Sequence, residues 1–215
     1  MRLLELFCGT KSVGKVFRAA GYEVCSVDLD PQHSPDIVAD VLKLGHGDLP
    51  WRPDVIWASP PCTTFSVASM GHHWTGGKGA YIPRTPAAVT GLALMNRTTR
   101  LIAELAPAVW FIENPRGLMR KLITPPVDGR RVTVTYCQYG DKRMKPTDIW
   151  TNTNWIPRPM CRNGSPCHEA APRGAKTGTQ GLRGAVARGV IPEALCREVL
   201  AVCEAAGLGV LKGLV

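Results

Sequence analysis

Short apolar runs alternate with helical patterns along the first half of the chain, and this alternation restricts the fold more than any other feature. The runs are too short for helices, and several lack the polar alternation of a half-exposed strand, which is typical of parallel strands buried on both faces. The predicted strands are residues 3–8, 23–29, 54–59, 108–114 and 130–140, and the predicted helices are residues 12–20, 89–105 and 191–207. The pattern therefore predicts an α/β fold with a mostly parallel sheet between helices.

The length of 215 residues and the hydrophobic content of 45% are sufficient for one sizeable core. We divide the chain into a catalytic core (1–154), a short irregular segment (155–190) rich in arginine, and a C-terminal helical part (191–215) that completes the core. Pro192 can start the last helix and Gly207 can end it. Residues 68–86 mix glycine, proline and basic residues without periodicity, which predicts a mobile loop.

The formal charge of +9 favours contact with polyanions such as nucleic acid, although a basic solvated face would give the same excess. No apolar stretch is long enough to span a membrane and no signal peptide is visible, so we expect a cytoplasmic protein without membrane contact. Without such a signal, the eight cysteines are expected to be reduced thiols. Those in apolar surroundings are predicted to be core residues: Cys8, Cys25, Cys137, Cys196 and Cys203.

Cys62 has a different setting from these core cysteines. It follows an apolar strand that stops at Pro60 and Pro61, at the carboxyl edge of the predicted sheet, where open α/β folds carry out their chemistry. A thiol at this position can act as a nucleophile if its pKa is lowered, because the thiolate is the reactive form. The alternative, a buried inert cysteine, fits this polar and proline-bounded setting poorly.

Glu113 is the second catalytic candidate, because it ends an apolar strand and precedes Asn114 and Pro115. A buried glutamate can donate or share a proton with a heterocycle. A structural glutamate that caps the following turn is the alternative.

The edges of the first strands carry residues suited to a nucleotide-like cofactor. Gly9 and Gly14 lie between a strand and a helix, where a ligand can approach the backbone closely. Asp28 ends the next strand and can accept hydrogen bonds from ribose hydroxyls, and Asp40 at the following edge can accept one from an adenine amino group. Taken singly, each aspartate is equally typical of an ordinary turn, and a glycine after a strand more often marks only a tight turn.

In order along nearly the whole chain, these segments resemble the motifs of the cytosine-C5 DNA methyltransferase family. The segments are FCGTKSVG, VDLD, PPCTTFS, ENP and QYGDKRMKPTDIW. The pairing of PPC, followed by Phe65 and Ser66, with the downstream Glu-Asn is the specific part of the resemblance. It implies the class I S-adenosylmethionine-dependent methyltransferase fold, a Rossmann-like seven-stranded mixed sheet between helices, and a small member similar to those of bacteriophages.

The resemblance also implies the reaction and the residues. Cys62 would add to carbon 6 of a cytosine flipped out of double-stranded DNA, and Glu113 would contact its ring nitrogen and exocyclic amine. S-adenosylmethionine would then methylate carbon 5. The cofactor would be held by Phe7, Gly9, Gly14, Asp28, Leu29, Asp40 and Pro60. The loop 68–86 would close over the DNA, with His72, His73, Lys78 and Arg84 near phosphates.

At three places this chain departs from the family pattern, and these departures limit how far the roles of the family's residues apply to it. Pro115 replaces the usual valine after Glu-Asn. The family places two arginines downstream of Gln-Tyr-Gly where this chain has Lys145 and Thr147, so the contact with the cytosine oxygen is open between Arg143 and Lys145. The target-recognition region is reduced to residues 155–190, so either the specificity is short and loose or a partner protein supplies it.

Within this segment, Cys161, Cys167 and His168 are three candidate zinc ligands at unusual spacing, and a fourth would have to come from elsewhere, with Cys137 a candidate. A small loop with reduced thiols is the alternative, and no metal is assigned from the sequence.

Other functions compatible with the sequence are an amino-methyltransferase, to which Ser59, Pro60 and Pro61 are similar, and a catalytically silent DNA-binding module. The amino-methyltransferases require an aromatic residue where this chain has Cys62, and the silent module does not require Cys62 or Glu113. The same chemistry on RNA, or with a modified cofactor, also fits. The recognition sequence and the oligomeric state are not encoded in any recognisable motif.

Overall fold

The computed structural model describes residues 1–77, 79–126, 128–170 and 184–208. Its strands are β1 (Arg2–Leu6), β2 (Glu23–Asp28), β3 (Ile37–Val38), β4 (Val55–Ala58), β5 (Trp74–Gly77), β6 (Ala80–Pro83), β7 (Val109–Pro115), β8 (Arg130–Thr135) and β9 (Pro146–Thr151). Its helices are α1 (Ser12–Ala19), α2 (Met70–His73), α3 (Pro86–Leu105), α4 (Met119–Leu122), α5 (Ala185–Gly189) and α6 (Glu193–Cys203).

Seven strands form one mixed sheet in the order β3-β2-β1-β4-β7-β9-β8. The five strands from β3 to β7 in this order run parallel, and β9 lies antiparallel between β7 and β8. Leu4 of β1 is in register with Cys25 of β2 and with Ile56 of β4. This architecture confirms the predicted α/β class, the mixed sheet and the methyltransferase-type fold.

Alternate residues of each central strand face opposite sides of the sheet, and both sides are covered by apolar residues. Leu4 and Ile56 pack with Met95 and Ile102 of α3 on one side. Residues of α1 and α6 cover Leu3 and the other strand residues on the opposite side, and the main contributors are Phe17, Leu195 and Val199. Burial on both faces explains why these strands are continuous apolar runs in the sequence.

The ends of the long helices follow the predicted rules. α3 begins at Pro86, three residues earlier than predicted, because the Thr85 hydroxyl accepts a hydrogen bond from the N–H of Ala88 at 3.2 Å and caps the helix. α6 follows Pro192, as predicted, and a last helical turn reaches Gly207, where φ is 83°. The chain leaves the helix there because only glycine adopts this conformation at low cost.

The segment 68–86 differs from the predicted irregular loop. It contains α2 and the hairpin β5–β6, and Trp74 at the start of β5 is buried against Phe65. The Trp74 indole N–H donates to the Thr64 carbonyl at 2.8 Å. The abundant glycines of this segment favoured a loop, whereas this single aromatic anchor attaches the hairpin to the residues directly after Cys62.

Two further predictions can be compared with the structure. The five cysteines expected in the core are all buried and unbonded to one another. The predicted strand 130–140 ends at Thr135, and a 3₁₀ turn over Tyr136–Tyr139 follows.

Among the described residues, no helix combines the length and apolar character needed to cross a membrane.

Candidate active site

The candidate active site lies where the five parallel strands end. Because parallel strands run in one direction, their carboxyl ends meet at a single edge of the sheet. The predicted site residues follow or end these strands: residues 7–9 after β1, Asp28 at the end of β2, Asp40 after β3, Cys62 after β4 and Glu113 near the end of β7. The structure thus brings the predicted residues to one edge.

The turn after β1 is bound to the end of β2 through Asp28. The N–H of Gly9 donates to one carboxylate oxygen at 2.9 Å, and the N–H of Asp30 donates to the other at 3.0 Å. Phe7 and Gly9 have φ values of 56° and 44°, so the backbone turns sharply away from the sheet. Each carboxylate oxygen retains a lone pair, and Asp28 is partly exposed, so it can accept two further hydrogen bonds from a ligand.

The carboxyl of Glu5 occupies the space where a side chain at position 14 would lie. A Cβ at Gly14 would lie 2.4 Å from Oε2 of Glu5 on β1, so only glycine leaves space for that carboxyl. Glu5 is almost completely buried, and burial raises its pKa from 4.5 to about 7 even though the nearby N–H groups of Val13 and Gly14 lower it. Glu5 was not among the predicted site residues, and its position inside an apolar strand was the available signal.

The remaining predicted cofactor residues differ in their surroundings. Asp40 is partly exposed and accepts the N–H of Leu42 at 3.0 Å, while the preceding Ala39 donates to the carbonyl of Asp28. Leu29 is 67% exposed and can cover a bound ligand. Pro60 is buried, and its carbonyl accepts a hydrogen bond from the side chain of Asn114.

The loop that carries Cys62 is held in a compact turn. The carbonyl of Cys62 accepts the N–H groups of Phe65 and Ser66, both at 3.0 Å. The carbonyl of Phe65 in turn accepts the N–H of Leu118 at 2.8 Å, and a Cβ at Gly117 would lie 2.3 Å from that same oxygen. The loop after β4 therefore packs directly on the loop after β7.

Asn114 joins the same two motifs a second time. Its side-chain amide donates to the carbonyl of Pro60 at 2.8 Å, in a fully buried position. This contact fixes the distance between the prolines before Cys62 and the strand that carries Glu113. In the sequence Asn114 is only part of a motif. The structure shows why an asparagine suits this position: its side-chain amide links the two loops of the site.

Glu113 is buried and is oriented by Tyr136. The tyrosine hydroxyl, itself fully buried, donates to Oε1 of Glu113 at 3.0 Å. Burial and the nearby Glu113 raise the pKa of Tyr136 well above its usual range, so the hydroxyl stays a donor. Tyr136 was not predicted from the sequence, because it lies 23 residues downstream, on a turn after β8.

The Cys62 thiol lies in a setting that opposes its ionisation. Burial, and then the charge of Glu113, raise its pKa, while Lys145 and Arg188 lower it. The thiol is therefore mainly protonated at neutral pH, and the lowered pKa that would make it the reactive thiolate is not found in this setting. Two cations lie close enough to counteract this rise, and one of them, Arg188, was not singled out from the sequence.

Arg143 and Lys145 differ in how far their donors are already used. The guanidinium of Arg143 is buried, pairs with Asp141, and donates to the carbonyls of Ala187, Arg188 and Val190. These contacts occupy its donors and attach α5 to the site. Lys145 lies 4.4 Å from the centre of the Tyr136 ring, and its ammonium donates a hydrogen bond to the Arg188 carbonyl at 2.9 Å.

The predicted phosphate contacts lie on the β5–β6 hairpin and its flanks. His72 and Arg84 are exposed, and His73 is bound through Nδ1 to the Thr85 hydroxyl at 2.8 Å. Lys78 lies outside the described residues, and so do the basic residues Arg173, Lys176 and Arg183 of the irregular segment.

Comparison with known proteins gives a family, a viral relative and two structural neighbours. The family described as "C-5 cytosine-specific DNA methylase" matches residues 1–123. The chain is 32% identical over 226 aligned residues to the "Probable DNA (cytosine-5)-methyltransferase" of Frog virus 3 (isolate Goorha), and the alignment covers 94% of this chain and 100% of that protein.

The structural neighbours are similar in fold. A prophage-encoded DNA modification methyltransferase of E. coli superposes with a TM-score of 0.50 at 18% identity, over 70% of this chain and 46% of that one. The Entamoeba histolytica methyltransferase EhMeth superposes with a TM-score of 0.51 at 11% identity, over 75% and 57% respectively. The chain thus spans about half the length of these solved structures.

Proposed function

Because the chain belongs to the C-5 cytosine-specific DNA methylase family and is by class a DNA (cytosine-5-)-methyltransferase, we propose that Cys62 is the nucleophile that activates a flipped-out cytosine in double-stranded DNA. The arrangement of Cys62, Glu113 and Lys145 at one edge of the sheet supports this most strongly. A nucleophile, a buried carboxyl and a cation that act on one another electrostatically are the groups that an addition to a cytosine ring requires.

The addition begins with loss of the Cys62 proton to solvent. The thiolate sulfur forms a bond to carbon 6 of the cytosine, and the electron pair of the 5,6 double bond moves to carbon 5. Glu113 takes up a proton from solvent and donates it to the ring nitrogen, and its carboxyl accepts a hydrogen bond from the exocyclic amine, which stabilises the negative charge that develops in the ring. The base must leave the helix, because neither carbon can be reached within the stack.

S-adenosylmethionine fits the residues at the β1–β3 edge. Asp28 has free acceptor capacity for ribose hydroxyls, and Asp40 can accept from the adenine amino group. Phe7, Gly9 and Leu29 would contact the cofactor from the turn and the strand end. When bound, the cofactor supplies an electrophilic methyl group to carbon 5. Loss of the carbon 5 proton to solvent then restores the double bond and releases the Cys62 thiolate, and S-adenosylhomocysteine leaves the site.

Lys145 is our candidate for the contact with the cytosine oxygen. An ammonium carries three donors, and Lys145 uses one of them in the hydrogen bond to Arg188. Arg143 has its donors committed to Asp141 and to α5, so its role is to hold that helix beside the site. Lys145 would in addition favour the Cys62 thiolate through its charge.

DNA binding is proposed to use the β5–β6 hairpin and the short irregular segment. His72 and Arg84 are exposed for phosphate contacts, and Arg162 is exposed on the segment 155–190. We propose the division into a catalytic core (1–154), this recognition segment and a C-terminal part (191–215) as the functional organisation. A segment this short can read few bases, so the expected specificity is loose unless a partner protein adds to it.

The test is incubation of the full chain with mixed-sequence double-stranded DNA and S-adenosylmethionine, followed by nucleoside mass spectrometry. We expect 5-methylcytosine from the natural chain and from Cys25→Ala, a control that removes a buried thiol away from the site, and none from Cys62→Ser. DNA containing 5-fluorocytosine should trap the natural chain covalently, because carbon 5 then has no proton to lose. Cofactor binding without 5-methylcytosine, or product from Cys62→Ser, would contradict the proposal.

A further inference from the structure

Three thiols and one imidazole lie together outside the candidate active site. They belong to Cys137, Cys161, Cys167 and His168, and their four potential ligand atoms all lie within 4.8 Å of one another. Cys137 comes from the 3₁₀ turn after β8, and the other three come from the start of the irregular segment after β9. The fold therefore brings Cys137, on the turn after β8, next to the loop after β9 that carries the other three residues.

The distances in this four-residue cluster are close to those of a tetrahedral metal site. Zinc with thiolate bonds of about 2.3 Å and an imidazole bond of about 2.0 Å would place its ligand atoms roughly 3.5 to 3.8 Å apart. Sγ of Cys161 lies 3.1 Å from Sγ of Cys167 and 3.4 Å from Nδ1 of His168, and the Cys167–His168 pair is 3.7 Å apart. The sulfur atoms are unbonded, and a small adjustment of the ligands would accommodate the metal.

The backbone around the cluster is held independently of any metal. The N–H of Cys161 donates to the buried hydroxyl of Thr135 at 2.9 Å, and the N–H of Glu169 donates to the Lys142 carbonyl at 2.9 Å. Between these attachments the chain turns at Gly164, where φ is 86°. The loop is thus anchored at both ends, which places its side chains in a defined geometry toward Cys137.

The burial of the cluster also suits a structural metal. Cys137 and Cys161 are buried, Cys167 is exposed and His168 is partly exposed, so a metal ion can enter from the side of Cys167 and His168. Gln138 donates from its side chain to Sγ of Cys167 at 3.5 Å, a contact that would orient a thiolate ligand. Four protein ligands leave no open coordination position, which is typical of structural rather than catalytic zinc.

We propose that Cys137, Cys161, Cys167 and His168 bind one structural Zn²⁺ ion. On binding, each of the three thiols releases its proton to solvent and the neutral imidazole binds through Nδ1, so three protons leave for each ion bound. The metal fixes the first part of the irregular segment to the turn after β8. This assignment is independent of the proposed methyl transfer.

Zinc content of the purified full chain is the direct measurement. We expect one zinc per chain, measured by its release to a chromophoric chelator. Cys167→Ala should lose most of this zinc. Cys167 is chosen because its side chain is exposed, whereas those of Cys137 and Cys161 are buried. Cys25→Ala and Cys62→Ser should keep their zinc, because those thiols lie outside the cluster. A zinc-free natural chain that also fails to bind added zinc stoichiometrically would overturn the proposal.

Cobalt substitution of the natural chain gives a readout that needs no variant. Replacement of the zinc by Co²⁺ should produce the intense visible bands of tetrahedral cobalt together with thiolate-to-cobalt charge-transfer absorption. An octahedral cobalt spectrum, or a Cys161–Cys167 disulfide in place of metal in the unreduced protein, would exclude the site.

Discussion

Glu5→Gln should make the protein more stable at neutral and alkaline pH, because it removes a carboxyl that folding forces into an apolar setting. The folded-state pKa of about 7 lies above the usual value of 4.5. Between these two values the folded state holds the proton more tightly than the unfolded state does, so the free energy of unfolding falls as the pH rises. Well above pH 7 the full penalty applies, and the shift corresponds to about 3 kcal/mol.

The assay is urea unfolding of the natural chain and of Glu5→Gln at several pH values. The stability advantage of the variant should grow by roughly 2 to 3 kcal/mol between pH 5 and pH 8. The difference between the two proteins isolates Glu5, because every other titrating group is common to both. Glu193→Gln is a suitable control, since it removes an exposed carboxylate paired with Arg197 and should change stability by about 0.5 kcal/mol or less at every pH.

Parallel stability curves for the natural chain and Glu5→Gln over this range would refute the reasoning. They would mean that Glu5 ionises at its usual pKa in the folded protein. The space around Glu5 would then have to be polar enough to solvate a carboxylate, whereas Glu5 is only 2% exposed and a Cβ at Gly14 would lie 2.4 Å from its Oε2.

The remaining predictions concern the site. The rate of methyl transfer should rise with pH until the raised pKa of Cys62 is passed, because only the thiolate reacts; a rate that falls over the same range would contradict this. Lys145→Gln should move that profile to higher pH, and an unchanged profile would remove Lys145 from the site. Asp28→Ala should weaken cofactor binding by roughly 10- to 100-fold with a smaller effect on kcat, as measured by calorimetry and kinetics. Asn114→Ala should cost about 1 to 3 kcal/mol in urea unfolding, because the buried carbonyl of Pro60 loses its donor, and a smaller cost would indicate replacement by water.

The edge of the parallel sheet could be predicted from the sequence because its signals are local. Each predicted strand is a short apolar run, and a candidate site residue lies at or just after its end, as at Asp28 and Cys62. Parallel pairing then brings these ends together without further information. The order of the motifs along the chain was enough to identify the family.

The groups that orient the site could not be predicted, because each depends on a contact between distant positions. Tyr136 reaches Glu113 across 23 residues, and Asn114 reaches Pro60 across 54. Trp74, the anchor of the unpredicted hairpin, lies in a segment rich in glycine. No periodic pattern marks such residues, since each acts through one side chain rather than through a face of an element.

The turn after β8 contributes Cys137 to the proposed zinc site and contacts Glu113, the proposed catalytic carboxyl, through Tyr136, and this leads to a prediction about metal removal. Tyr136 donates to Glu113, and the adjacent Cys137 belongs to the cluster. Asp28, which is proposed to bind the cofactor, lies on β2, with β1, β4 and β7 between it and β9. Removal of the metal should therefore lower kcat while the affinity for S-adenosylmethionine changes by less than about twofold, a difference of roughly 0.4 kcal/mol. Equal losses in both would indicate general unfolding, and an unchanged kcat would show that the turn keeps Glu113 in position without the metal.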